Sequence, residues 1–131
     1  MTSKQQVSAI NLLVGDYQAA LDFYTEKLGF VVSDDVQMED HRWLTVSPSE
    51  QSTLKLILHK AQTDAQQSAI GMQAGDAVLA ILQTDNFEQK YAEMQQAGVE
   101  FCEQPRHEPY DTVVIFKDLY GNRWDLIELS A

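Results

Sequence analysis

The sequence predicts an α+β fold, two βαβββ modules forming a curved eight-stranded mixed sheet around a shared cleft. Three observations lead there. Each half reads strand, helix, then three strands. A shift of 69 positions lays one half on the other and pairs Asp16 with Asp85 and Gly29 with Gly98, so helix start and stop signals repeat together. Each half has one helix with one apolar stripe, enough to cover one face of a four-stranded sheet and leave the other face open. At 131 residues with 44% apolar content the chain supports one core and is too short for two independent ones. A single domain over 1–131 is expected, with module one at about 7–60, a linker at about 61–75 and module two at about 76–129.

Residues 7–14 are apolar apart from Ser8 and Asn11, and they end at Gly15-Asp16, a turn followed by a helix N-cap. In the helix Ala20, Phe23, Tyr24 and Leu28 form one stripe, and Gly29 follows where a left-handed C-terminal residue is wanted. Residues 30–32, 41–46 and 53–59 are short strand candidates separated by the polar stretches SDDVQMED and SPSEQS. The stretch KAQTDAQQSAIGMQAGD has the low apolar density of a connector. Residues 77–82 read as the next strand, and Asp85-Asn86-Phe87-Glu88 has the form of a capping box opening a helix that runs to Gly98. Residues 99–102, 112–116 and 123–129 supply three more strands, the last two joined by the turn KDLYGN. The second helix carries its stripe at Phe87, Tyr91 and Met94, at offsets from the cap unlike those of the first, so the two helices are expected to pack differently.

The formal charge of -11 repels phosphate backbones and anionic membranes, so neither nucleic acid nor a membrane is an expected partner; the same field attracts a cationic small molecule. The single Cys102, in the apolar stretch VEFC without basic neighbours, reads as a packing residue. The first 14 residues hold no long apolar run, so neither a signal peptide nor a membrane helix is expected there, and the cytoplasm is the expected compartment.

The segment VGDYQAALDFYTEKLGF resembles the helix signature of the vicinal oxygen chelate superfamily, and DNFEQKYAEMQQAGVEF with FKDLYGNRWDLIE resembles its second half. The resemblance covers nearly the whole chain. One departure is Leu119-Tyr120, where many members have Pro-Asp before Gly-Asn. The superfamily includes glyoxalase I, extradiol dioxygenases, fosfomycin-resistance enzymes and metal-free bleomycin-binding proteins. The resemblance therefore implies the paired modules and a homodimer, and leaves function diverse.

In metal-dependent members, His, Gln or Glu from four cavity-facing strand positions hold a divalent ion with open coordination sites, which polarises a substrate or activates dioxygen. On the resemblance and the 69-residue shift those positions fall at Ala9 or Ile10, Val78 or Leu79, Leu56 and Asp125. Only Asp125 retains a ligating group, so no metal or other cofactor is expected. His41, His59 and His107 lie in different elements without a paired motif; an altered site of His59 or His41 with Asp125 is the metal-dependent alternative.

If Asp125 faces the cavity, it is a carboxylate among apolar walls, either an anchor or general base for a ligand or a partner of Arg123 or Arg42. Alternation places Arg123 and Ile127 on its face, and Trp124 with Leu126 on the core side. Trp43 beside Arg42 is placed to stack on a flat ligand, Tyr110 in EPYDT to close the cavity mouth, and Asn11 to donate into the cleft. The candidate ligand-binding set is Asn11, Arg42, Trp43, Leu56, Tyr110, Arg123 and Asp125. The function expected is binding of a small cationic or aromatic molecule without the metal, the alternatives being a glyoxalase-type lyase or extradiol-type dioxygenase with an altered metal site, and a structural module with a filled cavity.

Overall fold

The computed structural model describes residues 3–130. The first half comprises β1 (Ala9–Val14), α1 (Tyr17–Asp22) continued by a π-helical turn (Phe23–Lys27), β2 (Val31–Gln37), β3 (Arg42–Ser47) and β4 (Lys55–Lys60). A short helix, α2 (Asp64–Ala69), follows in the connector and buries none of its residues. The second half comprises β5 (Val78–Gln83), α3 (Phe87–Gln96), β6 (Glu100–Phe101), β7 (Arg106–His107), β8 (Asp111–Lys117) and β9 (Arg123–Leu129). The expected order of elements holds in both halves, with β7 an added two-residue strand on β8.

The strands do not join into one eight-stranded sheet. They form a four-stranded sheet, β1-β4-β3-β2, and a five-stranded sheet, β5-β9-β8-β6 with β7 beside β8. Both are mixed, because β1 runs parallel to β4 and β5 parallel to β9 while the remaining pairs are antiparallel. The outer edge of β1 is occupied by a side chain: Gln73 accepts from the Leu13 N–H (2.6 Å) and donates to the Asn11 carbonyl (3.1 Å). That amide imitates a paired residue and blunts an otherwise open edge.

One core lies on the helix-covered faces of both sheets. It holds Leu12, Val14, Leu44, Val46, Leu56 and Leu58 of the first sheet with Val114, Phe116, Trp124 and Leu126 of the second, under Tyr24, Leu28, Phe87 and Met94 from the helices. Aromatic contacts cross between halves, Tyr24 to Trp124 (6.0 Å between centroids) and Phe30 to Trp124 (6.2 Å). Such edge and tilted geometries contribute about 0.5–1.5 kcal/mol each beyond area burial. The connector docks on this body through Gly71 (φ +75), whose α-carbon faces the Tyr120 carbonyl so closely that an added methyl would lie 2.1 Å from it.

The halves repeat with a changing offset rather than a constant 69. Asp16 caps the first helix, but the second is capped by Asn86, whose side chain accepts from the Gln89 amide, one residue beyond the expected Asp85. Gly29 thus lies 13 positions past its cap and Gly98 only 12, and the extra residue of the first helix is taken up by its π turn. This accounts for the different stripes of the two helices. Leu12 pairs with Leu58 and Leu82 with Leu126, all four buried, so the offset is 70 at the first strand and 68 at the last. An odd offset exchanges the two faces of a strand.

Candidate functional site

Parity decides what the open faces carry. In the first sheet Asn11, Ile57 and Thr45 share a rung on the face away from the core, and in the second sheet Ile81, Asp125 and Ile115 occupy the same rung. The counterpart of Asp125 is therefore Ile57, not Leu56. Leu56 is 5% exposed and faces the core, which corrects its expected place in the cavity: the 69-residue shift was odd where the true offset is even. Trp124 is buried, as alternation predicted.

The first sheet carries a cavity of about 360 Å³ at the end where β3 and β4 are no longer paired, lined by residues from both of its faces. Its apolar floor is Ile57; Trp43 and Tyr17 line it as aromatics, and Asn11, His59 and Gln62 as polar groups. The volume lies at the lower end of the range for small-molecule pockets. Strand β3 presents Trp43, strand β4 presents Ile57 and His59 two residues apart on one face, and Tyr17 opens α1 immediately after the Asp16 cap. Of the predicted residues, Asn11, Arg42 and Trp43 come together here. Tyr17 and Gln62 were missed, and His59, brought forward only as an altered metal ligand, lines the cavity; its signal was the two-residue spacing from Ile57, hidden once Leu56 had been given the cavity face.

Several charges around this cavity are already paired. Arg42 grips Asp35 with two hydrogen bonds of 2.9 Å, which raises the guanidinium pKa and holds the Asp35 carboxyl below its ordinary value. Asp40 bonds His41 Nδ1 at 2.7 Å, and that bond lowers the Asp40 pKa. Asp34, further along the same sheet, accepts from Thr45 (2.7 Å) and Lys55 (2.9 Å), and these bonds lower its pKa.

Asp125 stands elsewhere. It is partly exposed on the open face of the second sheet and does not line the cavity. Neither Arg42 nor Arg123 is its partner: Arg42 is committed to Asp35, and Arg123 donates to the Asp76 carbonyl at 2.7 Å. Burial raises its pKa; Arg106 lowers it and the carboxylates of Glu103 and Asp111 raise it further. Tyr110 is 80% exposed and lies off the cavity, too far out to close it. Cys102 is an exposed free thiol, which corrects its reading as a packing residue: Phe101 and Val99 point inward and Cys102 falls past the end of β6.

The halves meet through their helix-covered faces, so the two open faces point away from the common core, and the cavity is lined by first-half residues and Gln62 of the connector, with none from the second half. The open faces therefore do not enclose one cleft within the chain, and the groove that both halves share is lined by Ser49 and Gln51 of the first and Gln83, Thr84, Asp85 and Glu128 of the second. The residues also fail to fit a metal. The rung of Asn11 and Ile57 and that of Ile81 and Asp125 supply one carboxylate and one amide, and they lie on different sheets. Among the described residues no group of three or more His, Cys, Asp or Glu could hold an ion. His41 and His59 do line one cavity, but Asp125 is not there to join them. No helix among the described residues is long and apolar enough to cross a membrane.

Residues 6–126 match the family described as the Glyoxalase/Bleomycin resistance protein/Dioxygenase superfamily. The chain is 43% identical to an uncharacterized protein of Shewanella frigidimarina (strain NCIMB 400), over 97% of this chain and 96% of that one. Among solved structures it is similar to UcmS2, with a TM-score of 0.83 and 29% identity over 95% of this chain and 98% of that one. It is also similar to TnmS3, an antibiotic binding protein from Streptomyces sp. CB03234, with a TM-score of 0.82 and 26% identity over 99% of this chain and 100% of that one.

Proposed function

This chain belongs to the Glyoxalase/Bleomycin resistance protein/Dioxygenase superfamily, and on that premise we propose that it binds a small aromatic molecule in the first-half cavity without using the metal of its catalytic relatives. The observation that carries the reading is the cavity itself: a pocket of about 360 Å³ with Trp43 and Tyr17 beside the donors of Asn11 and His59. The likeness to an antibiotic binding protein over nearly the full length supports binding as the activity. The donor set supports the metal-free reading, since apolar side chains stand where ligands would be needed.

We also propose a homodimer in the cytoplasm. The open face of the second sheet carries Ile81 at 65% exposure with the half-buried Ile115 and Ile127, apolar surface that a second copy would cover.

Two measurements test the function. Protein purified without chelator, then reconstituted with Ni, Zn, Mn or Fe, is expected to hold no stoichiometric ion by elemental analysis; one tightly bound ion per chain would replace this reading with a metal-dependent one. A flat aromatic probe is expected to quench the half-exposed Trp43 and to lose that effect in Trp43→Phe, while the buried Trp124 stays silent. Quenching that survives the substitution would place binding elsewhere.

A further inference from the structure

Among the described residues none of the second half lines the cavity, yet one of them reaches the segments that carry its walls. Tyr120 stands in the turn between β8 and β9, at the place where the sequence departs from the Pro-Asp of many superfamily members. Its phenol crosses to the first half and closes on both backbone groups of one residue. The hydroxyl oxygen accepts from the Asp16 N–H at 3.1 Å, and the hydroxyl donates to the Asp16 carbonyl at 3.4 Å. An ionised aspartate at this position, an acceptor only, cannot make the second bond. The ring packs beside Gly15, where an added β-carbon would meet it at 3.5 Å, and the turn is itself fixed, because the Tyr120 amide donates to the buried Asp118 at 3.1 Å. The next residue after Asp16 is Tyr17, which opens α1 and lines the cavity. The connector is seated on the same side chain's backbone: Gly71 lies over the Tyr120 carbonyl, and two residues on, Gln73 bonds the β1 backbone at Leu13 and at Asn11, another lining residue.

Resting on the binding function proposed above, we infer that Tyr120 is a positioning residue for the first-half cavity: its phenol fixes the Asp16 backbone and thereby the place of Tyr17 against a ligand that stacks on Trp43. Tyr120 does not touch the ligand and acts through Tyr17. The carbonyl it bonds belongs to the planar peptide that joins Asp16 to Tyr17, so the anchor lies next to the Tyr17 α-carbon. A wall ordered in advance leaves less freedom for a ligand to remove on binding, which is where the affinity is gained. The start of α1 does not depend on this bond alone, because the Asp16 side chain caps the helix by accepting from the Ala19 amide at 2.8 Å. Loss of the phenol hydroxyl therefore loosens Tyr17 without unfolding the helix.

The test titrates coumarin, a flat neutral probe, against the full chain and reads Kd from the quenching of Trp43. In Tyr120→Phe, which keeps the ring beside Gly15, Kd is expected to rise about two- to tenfold, the range that one hydrogen bond covers. Tyr17→Ala is expected to weaken binding, and adding Tyr120→Phe to it to change Kd no further, the non-additivity of two residues that act as one. An unchanged Kd in Tyr120→Phe overturns the positioning role and leaves the binding function standing; a urea midpoint that falls while Kd holds marks Tyr120 as a contact of the fold only. A loss of affinity of the same size with Tyr17 present and absent overturns the route through Tyr17. Failure of coumarin to quench Trp43 in the wild-type chain overturns the binding function, and this inference with it.

Discussion

Asp118 shows how one residue ties the halves together. It is 6% exposed at the start of the turn between β8 and β9, and its carboxylate accepts from the backbone amides of Tyr120, Gly121 and Asn122. It also accepts from the side chains of Asn122 (2.9 Å), Trp124 (3.3 Å) and Tyr24 (2.7 Å), the last on the helix of the other half. Burial, then the adjacent Asp118, raises the Tyr24 phenol pKa well above its ordinary value, so the hydroxyl remains a donor at all physiological pH. Tyr24→Phe removes a hydrogen bond to a charged group and is expected to cost about 2 kcal/mol, read as a lower urea midpoint at unchanged slope. Asp125 behaves in the opposite sense. Its folded-state pKa is raised, chiefly by burial, so its ionisation opposes folding at neutral pH. Asp125→Asn is expected to raise the melting temperature at pH 7, with the gain shrinking as pH falls and vanishing below the unfolded carboxyl pKa of about 3.9. An unchanged or lower melting temperature at pH 7 would contradict the raised pKa.

Elements are placed by backbone geometry that side-chain patterns only partly reveal. The π turn absorbs one residue and lets Tyr24 and Met94, equally buried, hold matching places in helices of different length. The connector is held at two glycines of similar conformation and different surroundings. Gly71 (φ +75) faces the Tyr120 carbonyl, whereas Gly75 (φ +66) has nothing within 4 Å. Gly75→Ala should cost only the left-handed backbone penalty, about 1–2 kcal/mol. Gly71→Ala adds the clash with Tyr120 and should cost about 1–3 kcal/mol more. Chemical denaturation of the pair measures the difference, and equal losses would mean that the connector yields without disturbing the β8–β9 turn.

At the scale of the molecule, the shared core turns both open faces outward and leaves the second one with exposed Ile81 beside the carboxylate of Asp125. Replacing Ile81 by Glu is expected to shift a dimer toward monomer in sedimentation equilibrium, because a second charge beside Asp125 cannot be buried without a partner. A wild-type chain that sediments as a monomer would remove the proposed assembly, and an unshifted dimer would move its interface to another face.

The sequence by itself determined the α+β class, the order of elements in each half, the capping residue Asp16 and the burial of Trp124, because hydrophobic period, turn residues and cap chemistry are local and act within a few residues. It also brought Asn11 forward, since alternation along a single strand is legible without a fold, and Arg42 and Trp43 by side-chain chemistry alone. The face of Leu56 was not legible, because the offset between halves changes by one at the π turn and by one more before β9, and each single step inverts a strand. Tertiary structure alone decided that Asp125 and Trp43 lie on different surfaces and that His59 joins the cavity. Which apolar faces bury each other is settled by the packing of the whole core around Tyr24 and Trp124, and no stretch of sequence contains that pairing.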